Sequence, residues 1–227
     1  MCLRMMQPML THVIWDWNGT LLDDASACVQ SINTLLQRRN LRPVSLEQYL
    51  NVFDFPVRDY YVKLGFNFTN DDWPRVAEEY HKVYATASTS APLRDGTPSL
   101  LERLRARRLT LSILSACELK LLHRMMDERG VRSYFDHIYG LSDLYAHSKV
   151  DLGHRLVGAV GTPRSEALLI GDTTHDFEVA QAIGVPCLLM TGGHQSAAKL
   201  RRCGCPVVTG LDAVEEFILH KDAGRAT

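Results

Sequence analysis

The chain has 227 residues, with 25 lysines and arginines against 26 aspartates and glutamates, a formal net charge of −1. That length suits one large domain, or one domain carrying an insertion, at roughly 100–200 residues per domain. An apolar share of 46% beside 22% charged residues excludes a disordered chain. The balanced charge excludes a dedicated nucleic-acid surface, and the basic runs at 103–108 and 199–202 read as solvated helix faces. No run of about 18 apolar residues exists to cross a membrane. The apolar start, Met1 to Met9, lacks the small-residue cleavage site of a secretory signal. Six scattered cysteines, with Cys203-Gly-Cys205 as a weak metal pattern, read as reduced thiols of a cytoplasmic protein.

The apolar run at 10–15 predicts a first strand, and Asn18-Gly19 predicts a turn after it. Residues 25–39 then place Val29, Ile32, Leu35 and Leu36 at helical spacing, and 46–52, 58–64 and 72–86 continue as helices with no strand between them. Such a stretch far exceeds the dozen or so residues that one crossover needs, so 23–92 reads as an inserted all-helical cap. From 93 onward strand and helix alternate. A helix at 98–108 sets Leu100, Leu101 and Leu104 on one stripe, and a strand at 109–114 follows. Next come a helix at 119–129 ending at Gly130, strands at 137–139 and 167–170, and a helix at 177–183 ending at Gly184. Strands at 186–190 and 206–208 complete the series. Short apolar runs bounded by Gly, Pro or Ser are strands buried on both faces. The alternation predicts an α/β, doubly wound, Rossmann-like parallel sheet formed by 1–22 and 93–227.

Open α/β sheets gather their reactive groups at the carboxyl ends of the strands. Those ends carry Asp16-Trp-Asn-Gly-Thr20, Ser115 and Gly171-Asp-Thr-Thr-His-Asp176, and Lys149 stands just before a helix. Three carboxylates, a hydroxyl, an amine and several turn amides suit phosphoryl transfer at a magnesium ion. The carboxylates bind the hard cation, the amine and hydroxyl neutralise phosphate oxygens, and one carboxylate serves as nucleophile. Plainer readings exist for some of them: Ser115 as a helix cap, Lys149 as a surface lysine, Asp172 as a cap for the helix near Asp176. Asp16 resists such a reading, because an acid directly after Val-Ile-Trp at a buried strand end is costly unless paired or bound to metal.

These motifs in this order, with Arg94-Asp-Gly-Thr-Pro98 marking the return from the helices, resemble the haloacid dehalogenase superfamily. The similarity lies with its phosphoglycolate-phosphatase-like branch, in which a helical cap follows the first strand, and it spans 10–217. It implies that Asp16 forms an aspartyl-phosphate while its other oxygen binds Mg2+. The backbone carbonyl of Asn18 and Asp172 would be further metal ligands, and Asp176 would bind the ion or orient its waters. Ser115, Ala116, Thr20 and Lys149 would contact the phosphate, with Lys149 also paired to Asp16, and Gly19 and Thr20 would shape the turn. The implied substrate is a small phosphorylated metabolite, phosphoglycolate-like or sugar-phosphate-like. The expected protein is a cytoplasmic monomer or homodimer with no nucleic-acid or membrane partner.

One position departs from the family pattern. The phosphatases carry a second aspartate two residues after the nucleophile, and this chain has Asn18. An amide has no proton to exchange at neutral pH, so acid–base help falls by about 10²–10⁴-fold. His175 is one substitute; its other reading is an exposed loop residue. Arg58 reads either as a group reaching over the substrate or as a solvated helix residue. The aromatics of 53–61 read as packing for the cap's own core, Trp17 as lining the entrance, and Cys117 as a buried thiol at a helix start. A magnesium-dependent phosphatase heads the functional readings. The others are an impaired relative that binds phosphate in a regulatory role, and a phosphotransferase.

Overall fold

The computed structural model describes residues 9–69, 71–142 and 149–223. Six strands form one parallel sheet: β1 (His12–Trp15), β2 (Thr110–Glu118), β3 (His137–Leu141), β4 (Ala167–Gly171), β5 (Cys187–Thr191) and β6 (Val207–Thr209). Their order is β3-β2-β1-β4-β5-β6. The reversal of winding falls between β1 and β4, where such folds place their ligands.

Alternation along β1 assigns its side chains to two cores. Val13 and Trp15 pack on one face and Ile14 on the other, all fully buried. The first face is covered by α5 (Thr97–Ala106), α6 (Leu119–Glu128) and α10 (Gly210–Ala223), through Leu101, Met126 and Val214. The second is covered by α7 (Val150–Val160), α8 (Thr174–Ile183) and the short α9 (Ala197–Leu200), through Leu156, Val179 and Leu200. At about 1.5–3 kcal/mol for each fully buried aliphatic side chain, this two-sided covering makes the strands read as continuous apolar runs.

Four helices lie between β1 and α5: α1 (Ala25–Arg38), α2 (Leu46–Val52), α3 (Val57–Lys63) and α4 (Trp73–Ala87). They share a separate core that includes Ile32, Leu35, Tyr49, Tyr61 and Val76. Ser45 and Gln48 close a reciprocal capping box at the start of α2, which accounts for its sharp beginning. The chain enters and leaves this segment through adjacent strand-like residues. Leu22 bridges Leu93, Asp23 N–H donates to the Pro92 carbonyl, and Arg94 N–H donates to the Leu21 carbonyl.

Three boundaries differ from the sequence reading. β2 runs on to Glu118, with its pairing to β3 irregular between Leu114 and Glu118. α8 begins at Thr174, because Thr173 and Asp176 form a capping box ahead of the apolar residues that signal the helix. α10 was not anticipated, although its buried Leu211, Val214 and Ile218 stand at helical spacing. Trp17 is fully buried in the core under the sheet and does not line an entrance. Among the described residues no helix is long and apolar enough to cross a membrane, and the five described cysteines are free.

Candidate active site

Asp16 stands directly after β1, its backbone N–H bonded to the Ile170 carbonyl of β4. Its carboxylate lies among three other charged groups at the strand ends. Lys149, at the start of α7 and 2% exposed, donates to Asp16 Oδ1 at 2.6 Å, Asp176 Oδ1 at 2.6 Å and the Leu114 carbonyl at 3.0 Å. All three ammonium protons are thereby engaged. Asp172 accepts from the Thr20 hydroxyl at 2.7 Å and the His194 backbone N–H at 2.6 Å. Asp176 Oδ2 accepts from the backbone N–H of Asp172 and Thr173 and from the Thr173 hydroxyl. Oxygens of Asp16, Asp172 and Asp176 lie within 4.8 Å of one another.

Two glycines permit this crowding. A side chain at Gly19, whose φ is +74°, would meet Asp172 Oδ2 at 2.3 Å, and one at Gly193 would meet it at 2.1 Å. Fully ionised, the three carboxylates would exceed the one ammonium by two negative charges. Burial, with Asp176 and Asp172 beside it, pushes Asp16 up to about 8 despite the opposing pull of Lys149. Burial also raises Asp172. Burial alone would lower Lys149, but Asp16 and Asp176 outweigh it and keep the ammonium charged. A compact, oxygen-only donor set with two unbalanced negative charges when ionised fits a divalent hard cation such as Mg2+.

A second buried cluster adjoins the first through Asn18. Its amide Nδ2 donates to Asp24 Oδ2 at 2.8 Å and to the Tyr84 hydroxyl at 2.7 Å. The amide must face Asp24 with its nitrogen, since an ionised carboxylate only accepts. Asp24 also accepts from the Tyr84 hydroxyl and the Gly19 N–H, and lies 3.2 Å from His194 Nε2. Tyr49 Oη lies 2.9 Å from His194 Nδ1. Burial alone would raise Asp24, but His194 and the hydrogen bonds bring it down to about 2. Burial likewise opposes the charge on His194, yet Asp24 raises it to about 9. The pair is ionised and internally balanced.

A cavity of about 140 Å³ connects both clusters with the helical segment. Ser115, Ala116 and Lys149 line it beside Asp16. Ser115 is 1% exposed and is not the helix cap, because Glu118 caps α6. Lys149 is no surface lysine, and Thr173 rather than Asp172 caps α8. Thr20 turns its hydroxyl to Asp172 and does not line the cavity. Arg58 is exposed, with its guanidinium 5.0 Å from the Phe68 ring centre, so it does not reach over the site. Cys117 lies in β2 rather than at a helix start, and burial holds its thiol well above the usual range.

His175 is buried, 6% exposed, which removes the exposed-loop reading. Its ring stacks on Phe55 at 4.4 Å, and burial with the nearby Lys149 lowers its pKa. The sequence reading missed Asp24, Tyr49, Tyr84 and His194. His194 follows β5 in Gly192-Gly193-His194, and reading that strand end as the others were read would have exposed it. The cap tyrosines carry no local signal, since their role depends on how the helices pack over the sheet.

Comparison with known proteins identifies the family and the fold. A family model described as haloacid dehalogenase-like hydrolase matches residues 13–190. A phosphoglycolate phosphatase of Synechococcus elongatus is 24% identical over 86% of this chain and 89% of its own length. Another, from Caulobacter vibrioides, is 26% identical over 80% of this chain and 79% of its own. The solved structure of a haloacid dehalogenase-like family hydrolase from Streptococcus pneumoniae superposes with a TM-score of 0.78. It covers 92% of this chain and 98% of its own at 20% identity.

Proposed function

This chain belongs to the haloacid dehalogenase-like hydrolases, and from that membership we propose that it is a magnesium-dependent phosphatase acting on a small phosphate monoester. The observation that carries the reading is Asp16, buried at the end of β1 and joined through Lys149 to Asp176 beside Asp172. Asp16, Asp172 and the Asn18 carbonyl would hold the ion, with Asp176 fixing Lys149 and the α8 turn. When bound, magnesium supplies positive charge against the phosphoryl oxygens and frees the Asp16 carboxylate of its proton.

One Asp16 oxygen attacks phosphorus, the bond to the ester oxygen breaks, and the alcohol leaves. Lys149 holds Asp16 at Oδ1, and its charge opposes the charge developing on the phosphoryl group. Ser115 and Ala116 flank the same space and offer a hydroxyl and a backbone amide to phosphate oxygens. Water then attacks the aspartyl-phosphate and regenerates Asp16. The departing oxygen needs a proton in the first step and the water must lose one in the second. Asn18 serves neither need, and its amide protons are spent on Asp24 and Tyr84. For an ester whose leaving group needs little protonation, the second half-reaction is therefore the slow one. We assign the chemistry to the sheet unit, 1–22 and 93–227, and substrate selection to the helical cap, 23–92.

Rapid-quench kinetics with p-nitrophenyl phosphate, whose leaving group needs little protonation, tests this directly. The expected result is a magnesium-dependent burst of about one product per site followed by slow turnover. Full activity in excess chelator overturns the metal assignment. The competing reading is a phosphate-binding regulatory protein, favoured by Asn18 alone. Magnesium and phosphate binding with no product from any ester establishes that reading instead.

A further inference from the structure

The cavity that meets Asp16 has a composition unlike its catalytic floor. Eight of its lining residues are phenylalanine, tyrosine or tryptophan, and Ile32, Val57 and Ala77 add aliphatic surface. Among the described residues no arginine lines it, and the single lining lysine is Lys149, whose three protons are engaged. His194 is committed to Asp24. A second anionic group entering this space would leave water and meet no unpaired cation, which is costly. The volume, about 140 Å³, is close to that of an apolar cavity that accepts one benzene molecule.

Tyr60 and His175 add polar atoms to the wall. Tyr60 is 2% exposed, and among the described residues its hydroxyl has no hydrogen-bond partner; the same holds for His175 Nε2. Buried polar atoms are seldom left without a partner, so each is available to a guest. Both residues line the cavity.

We propose that the substrate is the phosphate monoester of an uncharged alcohol bearing a planar ring, whose ring packs among the cap aromatics and whose polar substituents meet Tyr60 and His175. This rests on the phosphatase reading for its phosphate end, while the ring preference stands on the cavity itself. Esters carrying a carboxylate or a second phosphate on the alcohol are disfavoured, phosphoglycolate among them. Aromatic walls contribute most when a flat apolar face stacks on them, and a short charged acid uses none of that area.

The test compares benzyl phosphate, 4-carboxybenzyl phosphate and phosphoglycolate on the full chain with magnesium. kcat/KM is measured on the unaltered protein, and Kd by calorimetry on Asp16→Asn, which binds without reacting. The expected order has benzyl phosphate at least tenfold ahead of both charged esters in each measurement. Ala77→Leu, which fills the cavity wall, is expected to lower kcat/KM for benzyl phosphate by at least fivefold. Phosphoglycolate equal to or better than benzyl phosphate in either measurement overturns the proposal and leaves the phosphatase reading intact. Preferential binding of benzyl phosphate with no turnover of any ester upholds the cavity preference and overturns the phosphatase reading. No binding of any ester overturns both.

Discussion

Two buried charge clusters lie on either side of Asn18, and they are built on opposite electrostatic plans. Around Asp16 three carboxylates share one ammonium, and Asp16 is pushed up to about 8. Around Asp24 one carboxylate meets a histidinium, a phenol, an amide and a backbone N–H, and is held at about 2. Burial is the same in both; the count of partners is not. An under-neutralised cluster stores repulsion that a cation and a phosphoryl group relieve, whereas a balanced one holds its elements in place. The comparison separates the proposed site of chemistry from a brace that joins the turn after β1 to the helices.

Substitutions that remove one carboxylate from each cluster divide the two most sharply. Asp16→Asn is expected to lower turnover at least 10³-fold, because it removes the proposed nucleophile, while the melting temperature without magnesium holds or rises. Several per cent of residual turnover in a pure preparation breaks the assignment. Asp24→Asn is expected to cost about 3–5 kcal/mol, since it strands the His194 charge in a buried site. Calorimetry should show a fall of about 10 °C for a chain of this size. A variant that melts within a degree or two of the parent would show that the second cluster is no brace.

Asn18→Asp probes the boundary between the clusters. The new carboxyl replaces a donor that lies 2.8 Å from Asp24, so its proton is retained to higher pH, and a retained proton is what a leaving group requires. Steady-state turnover is expected to rise about tenfold or more, with a smaller burst and a melting temperature a few degrees lower. An unchanged rate with a linear time course would place proton transfer on another group.

The smallest effect concerns pH. His194 has its folded pKa raised to about 9 from 6.5, so its contribution is complete below pH 6.5 and is lost as pH rises through 9. Asp24 has its folded pKa lowered to about 2 from 3.8, so its contribution is complete above pH 3.8 and is lost as pH falls through 2. The brace is therefore strongest between about pH 4 and 6.5. Melting temperature should fall by several degrees between pH 6.5 and 9, and His194→Gln should flatten that slope. A slope identical in parent and variant would detach the effect from His194.

The architecture was legible because the central strands are buried on both faces and flanked by breakers; Val13, Ile14 and Trp15 are apolar without alternation for that reason. The first cluster was legible because its members close strands or sit in short motifs next to them. The second was not. Asp24 reads as an ordinary helix-start residue, and Tyr49 and Tyr84 read as core aromatics until α2 and α4 are set over β1. Arg58 illustrates the reverse error, since a cationic helix residue in the cap looks suited to phosphate yet lies over Phe68 on the surface. Side chains that depend on packing between distant segments leave no local pattern to read.

The pairing of Leu22 with Leu93 bears on how such a molecule diversifies. The excursion of the chain between them departs and returns through neighbouring residues, so the sheet registers only two short strand-like crossings. Insertions, deletions or replacement of the walls above Asp16 then leave every rung of the ladder from β3 to β6 in register. On the proposed division of labour, the walls over Asp16 can therefore change without disturbing the strand ends that carry it.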